Sequence, residues 1–197
     1  MGKGILAVVT LLFTMVSGIA MATPGGKFFD PDKKQWVQFG PSYGGKSPVK
    51  RKKVSYDGPY SPGTIVVDTD ERRLYHVLPG GKAMKYGIGV GKDGFQWSGT
   101  NRITRKAEWP GWTPPAQMRA RERAKGRILP AHMPGGPNNP LGARALYIGS
   151  TLYRVHGTNQ PWTIGSAVSS GCIRLANDDI THLYSHVKVG SKIVVKR

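Results

Sequence analysis

Short β-branched or alternating runs, cut apart by turn formers, dominate the pattern of this 197-residue chain. Thr64-Ile65-Val66-Val67-Asp68 predicts a strand, Asp70-Glu71-Arg72 a turn, and the alternating Arg73–Leu78 the second arm of a hairpin. Pro79-Gly80-Gly81 turns the chain again, and Ala83–Val90 predicts a third strand with Met84, Tyr86 and Ile88 on one face. Ala145–Ile148 and Leu152–His156 flank Gly149-Ser150-Thr151 as another hairpin, and Ser191–Lys196 closes the chain with Ile193-Val194-Val195. Helical spacing occurs twice. Pro114-Pro115 opens a short basic helix through Met118 to Arg123, and Asn177 or Asp178 is expected to cap a second through Val187. Ile180, Leu183, Tyr184 and Val187 of that helix should face the core. The class expected is mostly β with short helices.

The ends read differently. Met1-Gly2-Lys3, an apolar run from Ile5 to Ala20 and the small-x-small Ala20-Met21-Ala22 predict a signal peptide over residues 1–22, cut after Ala22. The run is too short and too interrupted by Thr10, Thr14, Ser17 and Gly18 to be expected to span a bilayer. Residues 23–60 carry Pro24-Gly25-Gly26, Pro41–Lys46 and Lys50-Arg51-Lys52-Lys53 without apolar periodicity, which predicts a basic, Pro/Gly-rich tether. Residues 61–197 then form one compact domain, long enough for a single core. Within it, Trp109–Gly142 is a long stretch dense in Pro and Gly, the usual form of a lid or cleft wall.

The net charge of +18 raises the question of a polyanionic partner. The charge is spread rather than set in a recognition element, and an exported chain leaves most nucleic acid behind. No nucleic acid is therefore expected, and an anionic polymer of the envelope suits the charge better.

Cys172 is the one cysteine, so no internal disulfide can form. It stands in Ser169-Ser170-Gly171-Cys172-Ile173-Arg174, downstream of Arg154-Val155-His156-Gly157-Thr158. A thiol nucleophile needs a base, an orienter for that base, oxyanion donors and access. His156 ends a strand and supplies an imidazole from a fixed frame. Gly157 leaves room beside the backbone, and a backbone carbonyl is the available orienter. Gly171 allows close approach, making the Gly171 and Cys172 amides candidate oxyanion donors. Arg174, two residues on, is placed to fork onto a substrate carboxylate. Taken singly, a free cysteine is usually a small inert core residue and a strand histidine merely hydrogen-bonded, so both readings stand at this point. His182 and His186 have metal-compatible spacing but lack a third ligand, so packing roles are expected, with no metal and no cofactor. Gly87–Gly91 lacks the lysine of a phosphate loop. Trp97, Trp109 and Trp112 either shape a groove or belong to the core.

His156-Gly157-Thr158 followed by Ser169-Ser170-Gly171-Cys172-Ile173-Arg174 resembles the active-site signature of the L,D-transpeptidases, the YkuD-type catalytic domain. Gly63–Asp68, Tyr86–Gly91 and Asn139–Leu146 are similar to that family too, so the resemblance covers about residues 61–197. It implies a YkuD-like β-sandwich or barrel with the cysteine beside a cleft. It also implies that Cys172 attacks a tetrapeptide stem of peptidoglycan, releases D-alanine and holds an acyl-thioester. An amine acceptor then takes the acyl group, giving a 3–3 cross-link or attachment to an outer-membrane protein or lipoprotein. His156 would be the proton acceptor and donor, with Arg174, Ser170 and Gly157 near the substrate. Many members have His where Ser170 stands, which leaves His156 as the sole ring base. The location implied is the periplasm, with no integral membrane segment after signal cleavage. An L,D-carboxypeptidase, or a wall-binding protein without activity, are the alternatives.

Overall fold

The computed structural model describes residues 46–91 and 97–197, with Val168 and residues 26–30 and 35–39 as backbone only. The expected signal peptide, and residues 23–25, 31–34 and 40–45 of the expected basic tether, lie outside the described residues. Among the described residues no helix is long and apolar enough to cross a membrane.

Strands β1 (Gly26–Asp30) and β2 (Gln35–Phe39) pair as an antiparallel hairpin. The next strand, β3 (Lys52–Ser55), pairs with β6 (Lys82–Gly87), so this part of the segment read as tether is an edge strand of the main sheet. β4 (Ile65–Asp68) and β5 (Arg73–Leu78) form the hairpin expected from sequence, and β5 pairs on with β6. All four residues of β4 are buried, as the apolar run Ile65-Val66-Val67 requires of a strand covered on both faces, and Asp68 at its end is held by the Glu71 amide and Lys196. Its other neighbour is the C-terminal strand β13 (Lys192–Lys196), joined in parallel.

The expected third strand, Ala83–Val90, breaks after Gly87. Ile88 and Gly89 leave β6, and β7 (Val90–Gly91) pairs instead with β11 (Ala167–Ser169). The long β8 (Gly99–Glu108) links the two halves of the sheet. Its first residues pair with β13 and its later ones with β9 (Arg144–Ile148), across a register shift between Ile103 and Arg105. β9 pairs with β10 (Arg154–His156), and β10 lies parallel to β12 (Ile173–Arg174) at the edge. The nine strands thus run β12-β10-β9-β8-β13-β4-β5-β6-β3. Gly89, just past β6, then exchanges both backbone hydrogen bonds with Arg174 of β12, at 2.9 and 2.8 Å. The sheet therefore curls until its β12 edge meets the chain leaving β6.

Helix α2 (Asn177–His186) covers the inside of this curl. Ile180 and Leu183 are buried against Leu146, Val155 and Leu175, with Val187 beside them, as the helical spacing predicted. Neither Asn177 nor Asp178 caps it, however; Ala176 holds the cap position. The Asn177 side chain is engaged elsewhere, while Asp178 and Asp179 sit in the first turn, where the helix dipole favours them. At the other end Lys106 donates to the carbonyls of Tyr184 and Val187, both at 2.6 Å, closing off the helix from β8. Helix α1 (Ala116–Arg123) follows Pro115 as expected and buries no residue.

Candidate active site

The strand register builds the site. In the parallel pair β10–β12, Val155 lies beside Ile173 and His156 beside Arg174. One step back, Arg154 comes beside Cys172. Side chains alternate along each strand, so Arg154, His156, Cys172 and Arg174 share one face, while Val155 and Ile173 point to the core. His156 and Cys172 are diagonal neighbours across this pair, within reach of an aromatic or long side chain.

Each group is tied down. His156 is 3% exposed, and its Nδ1 lies 2.6 Å from the Gly157 carbonyl oxygen. Nδ1 therefore carries the proton and donates, which leaves Nε2 as an acceptor. The expected orienting carbonyl belongs to the next residue. Beyond it, the Asn177 side-chain oxygen accepts from the amides of Ala143 (2.9 Å) and Thr158 (3.2 Å), fastening the strand exit that carries His156. Gly157 is required at this junction, because a β-carbon there would collide with the Asn177 oxygen and the Ala143 amide nitrogen.

The nucleophile turn has its own internal frame. The Ser169 hydroxyl donates to the Cys172 carbonyl at 2.6 Å and accepts from the Gly171 amide at 3.2 Å. Of the two amides expected to serve an oxyanion, the Gly171 one is thus already engaged. Gly171 has φ +102°, a left-handed geometry that a side chain would strain. Its carbonyl accepts from Trp97 Nε1 at 3.1 Å, and the Trp97 ring stacks on Tyr153 with centroids 4.9 Å apart. Trp97 also packs against the core, so it joins core and cleft, the two roles its sequence left open. Ser170 is reached from the long Trp109–Gly142 segment, where Arg121 of α1 donates to its hydroxyl at 3.0 Å. That segment is itself pinned by paired backbone hydrogen bonds of 2.8 Å between Trp112 and Met133.

The thiol of Cys172 points to the Leu152 carbonyl at 3.9 Å, and no hydrogen bond joins it to His156 among the described residues. As a residue Cys172 keeps partial exposure. Burial nevertheless pushes its thiol up, outweighing the opposing pull of the Arg154 backbone amide and of the Arg154 and Arg174 guanidiniums. Burial, with the Arg174 and Arg154 charges added, drives the His156 imidazole down to about 3. At neutral pH the pair is therefore thiol and neutral imidazole, not thiolate and imidazolium.

Arg154, Arg121, Tyr153 and Asn177 were missed as site residues from sequence. Alternation alone places Arg154 on the face of His156; the others arrive through long-range contacts that no local pattern encodes. The remaining histidines are packed apart from the site. His182 Nδ1 meets the Tyr86 hydroxyl at 2.8 Å, His186 stacks on His182 at 4.5 Å, and His132 Nδ1 meets the Thr113 hydroxyl at 2.9 Å. Among the described residues no group of three or more His, Cys, Asp or Glu is arranged to hold a metal ion.

Comparison with known proteins agrees with this architecture. The YkuD L,D-transpeptidase catalytic domain model matches residues 62–195. The probable L,D-transpeptidase YbiS of Escherichia coli is 46% identical over 134 residues, covering 66% of this chain and 43% of that protein. The chain therefore spans less than half the length of such curated relatives. A solved Brucella melitensis structure, described as a probable carnitine operon oxidoreductase, is 44% identical with a TM-score of 0.51, covering 79% of this chain and 98% of that one. An L,D-transpeptidase from Mycobacterium tuberculosis shares the fold at 16% identity and a TM-score of 0.52, covering 68% of this chain and 57% of that one. This chain belongs to the YkuD family of L,D-transpeptidase catalytic domains.

Proposed function

We propose that the protein is a peptidoglycan L,D-transpeptidase with Cys172 as nucleophile and His156 as proton carrier. The observation that supports this most is that both lie on one face of the β10–β12 pair, with His156 Nε2 left as an acceptor. Rotation of the Cys172 side chain turns the thiol from the Leu152 carbonyl toward Nε2. As sulfur bonds to the carbonyl carbon of the third stem residue, its proton passes to His156. The peptide C–N bond then breaks and the proton leaves on the amine of D-alanine, so the enzyme retains an acyl-thioester. An acceptor amine attacks that thioester, gives its proton to His156, and the proton returns to sulfur. The Cys172 amide is the oxyanion donor, since Gly171 is committed to Ser169. Arg174 holds a substrate carboxylate, Ser170 sits at the cleft wall under Arg121, and Gly157 keeps the His156 exit narrow.

The acceptor is an amine on a second stem, or on an outer-membrane protein or lipoprotein. Residues 1–22 serve as a cleaved signal peptide and residues 23–60 as a basic segment, bringing domain 61–197 to the wall in the periplasm. The decisive assay is product analysis on purified muropeptides. The full chain should form 3–3 dimers, and Cys172→Ala and Cys172→Ser should form none. Wild-type rates in either variant overturn the mechanism. Tripeptide in place of dimer identifies water as the acceptor and the enzyme as an L,D-carboxypeptidase. A carbapenem should add mass at Cys172 and nowhere else.

A further inference from the structure

Cys172 and His156 each have an arginine directly across the strand pair: Arg154 beside the thiol and Arg174 beside the imidazole. Among the described residues neither arginine has a carboxylate partner. The Nε atom of each is buried without a hydrogen bond. Half-buried guanidiniums that lack an acid partner are costly, and such groups are retained where a negative charge arrives.

The surroundings of Arg154 say which charge. Its Nη1 donates to the Leu152 carbonyl at 3.1 Å, the same oxygen that the Cys172 sulfur approaches at 3.9 Å. Its guanidinium carbon lies 5.1 Å from the Tyr147 ring centre, which fixes the group from below by cation–π attraction. Guanidinium and sulfur thus converge on one oxygen, from neighbouring strands. The other groups facing Cys172 are His156 from β10, Arg174 on its own segment, Arg121 through Ser170 from α1, and Trp97 through the Gly171 carbonyl. None of them is an acid. Fixed cations and no carboxylate therefore surround the sulfur, and of these Arg154 is the one that shares an oxygen with it.

We propose that Arg154 is a positioning residue that holds negative charge on the Cys172 sulfur during attack, in the place that an imidazolium occupies in a preformed ion pair. The inference rests on the reading of Cys172 as nucleophile, but its test does not require transfer activity. It gives Arg154 no proton to move: the sulfur's proton still goes to His156, and the guanidinium stays fully protonated throughout.

The experiment is the pH dependence of Cys172 alkylation by iodoacetamide in the full chain, compared among the parent, Arg154→Ala, Arg154→Gln and Arg154→Lys. Arg154→Ala and Arg154→Gln should displace the ionisation upward by about one pH unit, seen as a roughly tenfold slower reaction at pH 8. Arg154→Lys should recover most of the loss. Arg154→Gln keeps the aliphatic stem and a neutral N–H donor, so it carries the test if the alanine variant does not fold. A neutral variant whose profile superimposes on the parent's overturns the proposal. So does a lysine variant as slow as the neutral ones, which would make Arg154 a packing residue. Muropeptide products from Cys172→Ala test the nucleophile separately, so the two failures are distinguishable.

Discussion

His156 and Arg174 face one another as register partners on β10 and β12, and the guanidinium helps to keep the imidazole uncharged. An uncharged base beside a raised thiol predicts a specific pH profile. Alkylation of Cys172 should show one ionisation, above the ordinary thiol range, and no reactive plateau at acidic pH. A rate already at its maximum by pH 6 would mean a preformed thiolate–imidazolium pair.

Stability should fall as pH drops from neutral. Burial lowers His156, His76 and His182 in the folded state, with neighbouring cations or histidines adding to it. Below a pH of about 6.5 the unfolded chain binds protons that these rings refuse, so the folded state loses ground as pH drops. His156 alone should contribute a loss of about 2 kcal/mol between pH 7.5 and pH 5. Thermal unfolding at the two pH values measures it, and an unchanged midpoint contradicts the assignment.

Asn177→Ala should both destabilise and deactivate. The substitution orphans two amides, those of Ala143 and Thr158, at a cost of about 1–3 kcal/mol. It also frees the exit of β10, so turnover should drop more than unfolding does at temperatures well below the midpoint. Denaturant titration and initial rates on the same samples separate the two effects.

Gly157→Ala drives a β-carbon into the Asn177 oxygen and against the Ala143 amide. We expect a loss of carbapenem labelling of at least tenfold, with the fold retained, because a shift of about 1 Å at a reacting group costs about two orders of magnitude. Normal labelling would show that the junction has slack.

Arg51→Ala tests how far the chain upstream of residue 61 belongs to the folded unit. Arg51 reaches Asp179 of α2 at 2.8 Å, and Asp179 is buried with its second oxygen unpaired. Leaving that carboxylate alone should cost on the order of 2 kcal/mol, moderated by the partial exposure of Arg51. A midpoint identical to the parent's would mean that Arg51 and Asp179 are not coupled in solution.

The strands with strict alternation or an unbroken apolar run were legible in the sequence, because one covered face or two decides their pattern. β4, β5 and the β9–β10 hairpin fell where the pattern put them. α2 was legible from Ile180, Leu183 and Val187, but its cap was not, since the polar side chain at Asn177 found two amides from distant loops more rewarding than its own helix. The break after Gly87 and the edge strand β3 depend on partners far along the chain, and Lys52–Ser55 has no apolar signature to announce it. Cys172 and His156 stood out by residue type and spacing. Arg154 did not, because its meaning comes from the residue across from it.

The junction between Gly89 and Arg174 carries one more consequence. It stitches the first half of the polypeptide to the last, and it does so at the residue next but one to the sulfur. On one side of the segment the ladder with β10 holds it, and on the other this bridge does, so the turn that carries the sulfur is clamped from both flanks and its surroundings are set by residues more than eighty positions apart.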